Sequence, residues 1–255
     1  MKSLTIVISL ILVSACGGFK ELQSAQDQFS RAASIELNNQ FDPKNVTLEN
    51  PDNWYQLAYS NVKKALQNTS SLERDSLLGM AYSLKALCEW KLQKYNSAEI
   101  SRKAALNRIH NPNRNFALMT ALPDLITIDA TAEALRQTFP SIHPKGDQII
   151  LFFQEHFPQI NHWPHIKSAI RQTQDEKATQ IYLIQAQLTG LKGWSDALDG
   201  LKQYMDAGNS YPAVLREIFA KQYQQYLEEK SQALNLLKSD PSLREIYTYW
   251  NTLLL

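Results

Sequence analysis

Lys91-Leu92-Gln93-Lys94-Tyr95-Asn96-Ser97-Ala98 and Leu191-Lys192-Gly193-Trp194-Ser195-Asp196-Ala197-Leu198 have the same form, and reading them decides the fold. The first leads into a stretch ending Ala104-Ala105-Leu106. Tyr55-Gln56-Leu57-Ala58, followed by Val62, Ala65 and Leu66, is a third instance. Each places an aromatic residue three positions before an alanine. At the corner of a helix hairpin the aromatic fills the gap, and the small residue lets the second helix approach the first. Outward from these stretches, apolar residues recur at three and four, and β-branched alternation is nearly absent. The chain has only eight glycines, and its prolines punctuate loops.

This pattern predicts an all-α protein of short antiparallel helices at 21–39, 53–67, 71–92, 95–109, 115–121, 123–138, 146–157, 160–173, 175–190, 194–207, 212–238 and 241–253. Asp52, Asn96 and Asp240 are suited to cap helix N-termini, and Pro123 and Pro241 to the first helical turn. Gly208 is placed to stop a helix at Ala207. Leu77, Ala81, Leu84 and Cys88 form one helical stripe, which reads Cys88 as a small buried hydrophobe. The apolar end Ile246–Leu255 reads as a helix covering the open end of a helical stack. The alternative is an exposed partner-binding segment.

The three stretches resemble the tetratricopeptide repeat. Tyr95, Ala98 and Ala105 match its aromatic, small and small positions, with Tyr82 and Ala86 on the preceding helix. In the later unit Trp194, Ala197 and Leu201 match, with Ile184 and Leu188 before them. Lys85, Glu89, Arg102 and Tyr204 depart from the pattern. The resemblance is strongest at 71–106 and 175–207 and implies antiparallel hairpins stacked as an α-solenoid. It also implies that the first helix of each hairpin lines a partner groove. Ser83, Leu87, Trp90 and Lys91 would then face that groove, with Tyr182 and Ala186 in the later unit. Apolar spacing alone places Leu87 and Trp90 in the core just as readily.

The N-terminus supplies an address. Lys2 precedes an apolar run from Leu4 to Val13, too short to span a bilayer, which ends at Val13-Ser14-Ala15-Cys16. This resembles the lipobox of bacterial lipoproteins, in which the thiol of Cys16 receives a diacylglyceryl group and becomes the new N-terminus. The expected organisation is a cleaved signal at 1–15, a lipidated tether at 16–20 and a helical repeat domain at 21–255. Gly17 follows the cysteine where aspartate does not, and the resemblance then implies sorting to the periplasmic face of the outer membrane. Each buried methylene contributes about 0.8 kcal/mol, so two or three acyl chains such as palmitate suffice as an anchor. Nothing else in the chain needs to touch lipid.

Removing Lys2 with the signal leaves 25 basic residues against 25 acidic ones. A neutral mature domain has no global electrostatic footprint for nucleic acid. Once Cys16 is consumed by lipid, Cys88 has no partner for an intramolecular disulfide. His156, His162 and His165 crowd around Pro158 and Pro164, but their spacing does not place two ligands on one helical face. His110 and His143 also lie beside loop prolines. No nucleophile elbow, phosphate-cradling glycine loop or metalloprotease motif occurs. The expectation is a non-enzymatic interaction scaffold without metal or cofactor, binding another envelope protein or peptide. The alternatives are capture of a small apolar ligand, as in a transport-associated lipoprotein, and an envelope enzyme acting on cell wall.

Overall fold

The computed structural model of the chain describes residues 17–41, 47–109, 114–138, 149, 151–152, 155, 163–173, 177–208, 211 and 213–254. They are all-helical, with no strand among the described residues. The helices are α1 (Gly17–Phe41), α2 (Pro51–Ala65), α3 (Thr69–Arg74), α4 (Leu78–Lys91), α5 (Tyr95–Leu106), α6 (Arg114–Thr138), α7 (Pro164–Gln172), α8 (Lys177–Asp206), α9 (Val214–Lys238) and α10 (Arg244–Leu253). Where the sequence reads one domain over 21–255, the chain forms two compact units that divide between Leu122 and Pro123.

In the first unit α1 pairs with α2, and α4 with α5. Both pairs are antiparallel. Asn61 of α2 donates to Gln28 of α1, and Lys85 of α4 to Ser101 of α5. Tyr55 and Ala58 in the one pair, and Ala98 and Ala105 in the other, are fully buried. The core joins Leu22, Ala25, Ala58, Val62, Leu72, Ala81, Leu84 and Cys88. Burial pushes the Cys88 thiol far above its ordinary range, with the neighbouring Glu89 charge adding to the effect. It is the inert apolar residue that its stripe predicts.

Several boundaries differ from the sequence reading, each for a local reason. The predicted helix 71–92 is broken, because Ser76 turns left-handed after α3. Ser76 N–H then bonds the Glu73 carbonyl and Leu77 N–H bonds that of Leu72. The same closure follows α4. Gln93 is left-handed, its N–H bonds the Trp90 carbonyl, and Lys94 N–H bonds that of Glu89. The cap of α2 is Asn50 with Pro51 behind it, not Asp52. Lys94, not Asn96, precedes α5 and gives no side-chain cap. Asp240 does cap as predicted, accepting from Ser242 N–H, and Gly208 has a positive φ of 76° just beyond α8. The predicted tether at 16–20 is mostly helix. Gly18 is buried so closely that a Cβ there would lie 3.1 Å from Cβ of Asn68.

Pro123 lies inside α6, not at a helix start as predicted, so 115–121 and 123–138 form one helix. Proline cannot donate to the Met119 carbonyl. Arg102 of α5 supplies a donor to that oxygen at 3.4 Å. The same guanidinium is paired with Glu99 of its own helix at 2.6 and 2.7 Å.

The largest correction is in the second unit. The stretches 175–190 and 194–207 are not a hairpin, and α8 runs through both without a turn. Gly190 and Gly193 are both helical. A Cβ at Gly190 would meet Cζ2 of Trp163 at 2.7 Å, so glycine there serves helix packing. A Cβ at Gly193 would meet nothing within 4 Å. Gly193→Ala should therefore stabilise the protein by about 1 kcal/mol in urea denaturation, whereas loss of stability would restore a turn at this position. The predicted helix 146–157 lies almost wholly outside the described residues.

Within this unit α7 begins at Pro164, where Trp163 has φ 27° and gives no side-chain cap. Asp124 reaches over from α6 and accepts from the backbone N–H groups of His165 and Ile166 at 2.8 and 2.9 Å. Burial raises the Asp124 carboxyl above its ordinary range, against the pull of those two donors. Near the C-terminus Trp250 and Leu254 are buried, and Tyr226 and Lys230 of α9 both donate to the Leu254 carbonyl. The apolar C-terminal end thus packs against α9.

Candidate functional site

The residues singled out by the sequence for a groove fall in both units. Ser83 is 1% exposed, Leu87 8% and Trp90 4%. These three belong to the core of the first unit, because α4 is covered by α2 and α5. The Ser83 hydroxyl donates to its own helix at the Gly79 carbonyl. Tyr182 and Ala186, half-buried on α8, belong to the second unit. Cys16 lies outside the described residues, as do His110, His143, His156 and His162. Among the described residues no cluster of histidine, cysteine and carboxylate side chains could hold a metal ion.

Lys91 is the exception. It marks one end of the first unit, where α1 finishes, α2 begins and α4 turns into α5. Tyr55 and Tyr59, one turn apart on α2, share the face turned toward α4. The Tyr55 ring packs on Phe29, and its hydroxyl donates to Glu36 at 2.8 Å. Lys91 donates to the same Glu36 oxygen at 2.7 Å, with its ammonium 4.5 Å from the centre of the Trp90 ring. The Trp90 indole N–H has no hydrogen-bond partner among the described residues.

Beside this, Arg31 stacks 4.0 Å above Trp54 and makes two bonds to Glu49, which also accepts from the Trp54 indole. Arg31 first, then Trp54, hold the Glu49 carboxyl below its ordinary range. One turn further along α2, Tyr59 carries two ammonium groups. Lys94 lies 4.3 Å and Lys63 5.5 Å from its ring centre. Both lysines are exposed, and neither is ion-paired among the described residues. The Tyr59 hydroxyl donates to Glu89 at 3.3 Å. Burial first, and then the Glu89 charge, raise the Tyr59 hydroxyl above its ordinary range.

Glu89 is the anchor beneath this surface. It is 1% exposed and accepts from Lys85 at 2.7 Å and from Ser101 at 2.6 Å. Ser101 in turn accepts from Lys85. Lys85 and Glu89, which depart from the repeat pattern, are thus a half-buried pair on α4 that is tied to α5 through Ser101. The sequence signal was there to read: two opposite charges four apart on an otherwise apolar helix. The grouping of Arg31, Trp54, Tyr59 and Lys63 with Lys91 and Lys94 had no such signal, because it needs three helices.

Chemically the end is a set of aromatic faces covered by cations, with the paired carboxylates of Glu36 and Glu49 and two ammonium groups left for an incoming anion. Comparison of the chain with family models, with curated proteins and with solved structures finds no match.

Proposed function

We propose that this chain is a periplasmic lipoprotein, held to the outer membrane through Cys16, that works as an assembly or interaction scaffold. Its helix hairpins act in the manner of tetratricopeptide repeats, through α1–α2 and α4–α5 only. The hairpin at 191–198 is not part of the proposal, since α8 is continuous there. The observation that carries the reading is the pair Lys63 and Lys94 around Tyr59, two exposed ammonium groups with no ion-paired carboxylate among the described residues. Such a surface fits a partner protein segment carrying Asp or Glu side chains. Affinity on surfaces of this kind rests on a few aromatic and charged anchors.

Two measurements test it. Cys16→Ser should abolish palmitate incorporation; continued labelling refutes the anchor. For the scaffold, Lys94→Glu places an acid in the exposed turn before α5 and should leave the melting curve unchanged. It should lose the partner captured by in-cell crosslinking. An unchanged crosslinking pattern refutes the scaffold surface. Lys91→Glu is the weaker probe, because its loss would set two carboxylates against each other at Glu36.

A further inference from the structure

The two ends of the first unit differ. Its cationic aromatic end carries Lys91 and Lys94. At the opposite end α1 begins, α2 finishes and α3 follows. Cys16 is one peptide bond before Gly17, where α1 starts. Gly18 is already buried against the Ala65 carbonyl and Asn68. No flexible spacer separates position 16 from the folded unit, so acyl chains on Cys16 would start within a few ångströms of the packed helix ends.

What surrounds that point suits a bilayer surface. Phe19, 53% exposed, stands three residues after the anchor position. A solvent-facing phenyl ring has no role in the core here, but aromatic and apolar side chains on a lipid-proximal helix enter the boundary between headgroups and acyl chains. Lys20, early in α1, and Lys64, in the last turn of α2, are exposed and suit anionic headgroups. Gln67 and Asn68, also exposed, add a polar rim, and Phe19 is the large apolar side chain exposed there among the described residues. No described helix is long and apolar enough to cross a membrane, so contact at this end is at the surface.

Resting on the Cys16 anchor proposed above, we infer that the first unit seats directly on the phospholipid leaflet by its α1 N-terminal end. Phe19 enters the interface, and Lys20 and Lys64 meet the headgroups. The 25-residue α1, about 37 Å long, then stands between the leaflet and the end bearing Lys91 and Lys94. The cationic aromatic end is held away from the membrane, open to the periplasm. The occupant of the seat is lipid, not a second protein, because the lipid attachment is one residue away.

The test uses the lipidated full chain reconstituted in vesicles of phosphatidylethanolamine and phosphatidylglycerol. Cys88 is buried and Cys16 is consumed by lipid, so a spin label attaches selectively to an introduced cysteine. Gln67→Cys reports the α1 N-terminal end, and Asn96→Cys, in the first turn of α5, the opposite one. The Gln67 label should be severalfold less accessible to a water-soluble relaxation agent than the Asn96 label. In the background of Phe19→Ser that difference should shrink. Equal, high accessibility at both sites in protein shown by mass to carry its acyl chains overturns the seating while leaving the anchor intact. Shielding at both sites overturns the upright orientation. An unchanged difference in Phe19→Ser overturns the role of Phe19. Protein that carries no acyl group in the same preparation overturns the anchor itself, and the seating with it.

Discussion

Glu89→Ala should lower the stability of the first unit by about 3 kcal/mol, the expected cost of breaking a buried ion pair from one side. Glu89 is 1% exposed, and three donors converge on its carboxylate: Lys85, Ser101 and Tyr59. Removing it leaves two hydroxyls without their acceptor and an ammonium without its counter-charge. The cost stays at the lower end of the range for such changes because the Lys85 side chain is 22% exposed and can turn toward water. The companion experiment is informative. Replacing Lys85, Glu89 and Ser101 together with Met, Leu and Ala removes both partners at once and should recover most of the loss. Urea denaturation of the single and triple variants checks both statements. A loss below about 1 kcal/mol in Glu89→Ala would mean that the carboxylate is solvated and that the α4–α5 contact is not built around it.

Trp194→Ala should be costlier still, about 3–5 kcal/mol in the second unit. Trp194 is fully buried near the middle of α8. Its ring stands edge-on to Trp163 at 6.1 Å and to Tyr226 at 6.1 Å, so it joins the start of α7 to α9 through α8. Edge-to-face pairs add about 0.5–1.5 kcal/mol each beyond the area that they bury. Near-ultraviolet circular dichroism should weaken with the loss, since two neighbouring indoles lose their contact. A Trp194→Phe variant keeps an aromatic edge and should recover a large part of the stability. Equal destabilisation by Phe and Ala would show that ring packing is not what Trp194 supplies.

The two variants also divide what was legible in the sequence from what was not. Periodicity at three and four, scarce glycine and the aromatic-to-alanine spacing determined an all-helical chain. They placed Tyr55, Ala58, Ala98 and Ala105 correctly in closely packed helix pairs, and Cys88 in the core. These are local properties, because the face of a helix that must be buried is written in its own residues.

Tertiary structure decided where helices stop. Leu191–Leu198 and Lys91–Ala98 share one pattern, yet only the second contains a turn. The difference lies in partners distant in sequence. Trp163 presses on Gly190 and Tyr226 on Trp194, and burying these rings along a continuous α8 outweighs the modest helix penalty of its three glycines. In the same way Arg102 compensates Pro123 within α6, and Asp124 caps α7 from 41 residues away. The candidate surface follows the same rule. The sequence singled out Trp90 and Lys91 on one helix. Burial took Trp90 into the core, and Glu36 took the charge of Lys91, because α1 and α2 close over α4. Lys63 lies one turn from Tyr59 on α2, but Lys94, before α5, reaches the same ring only through the tertiary fold, a juxtaposition that no single stretch of sequence encodes.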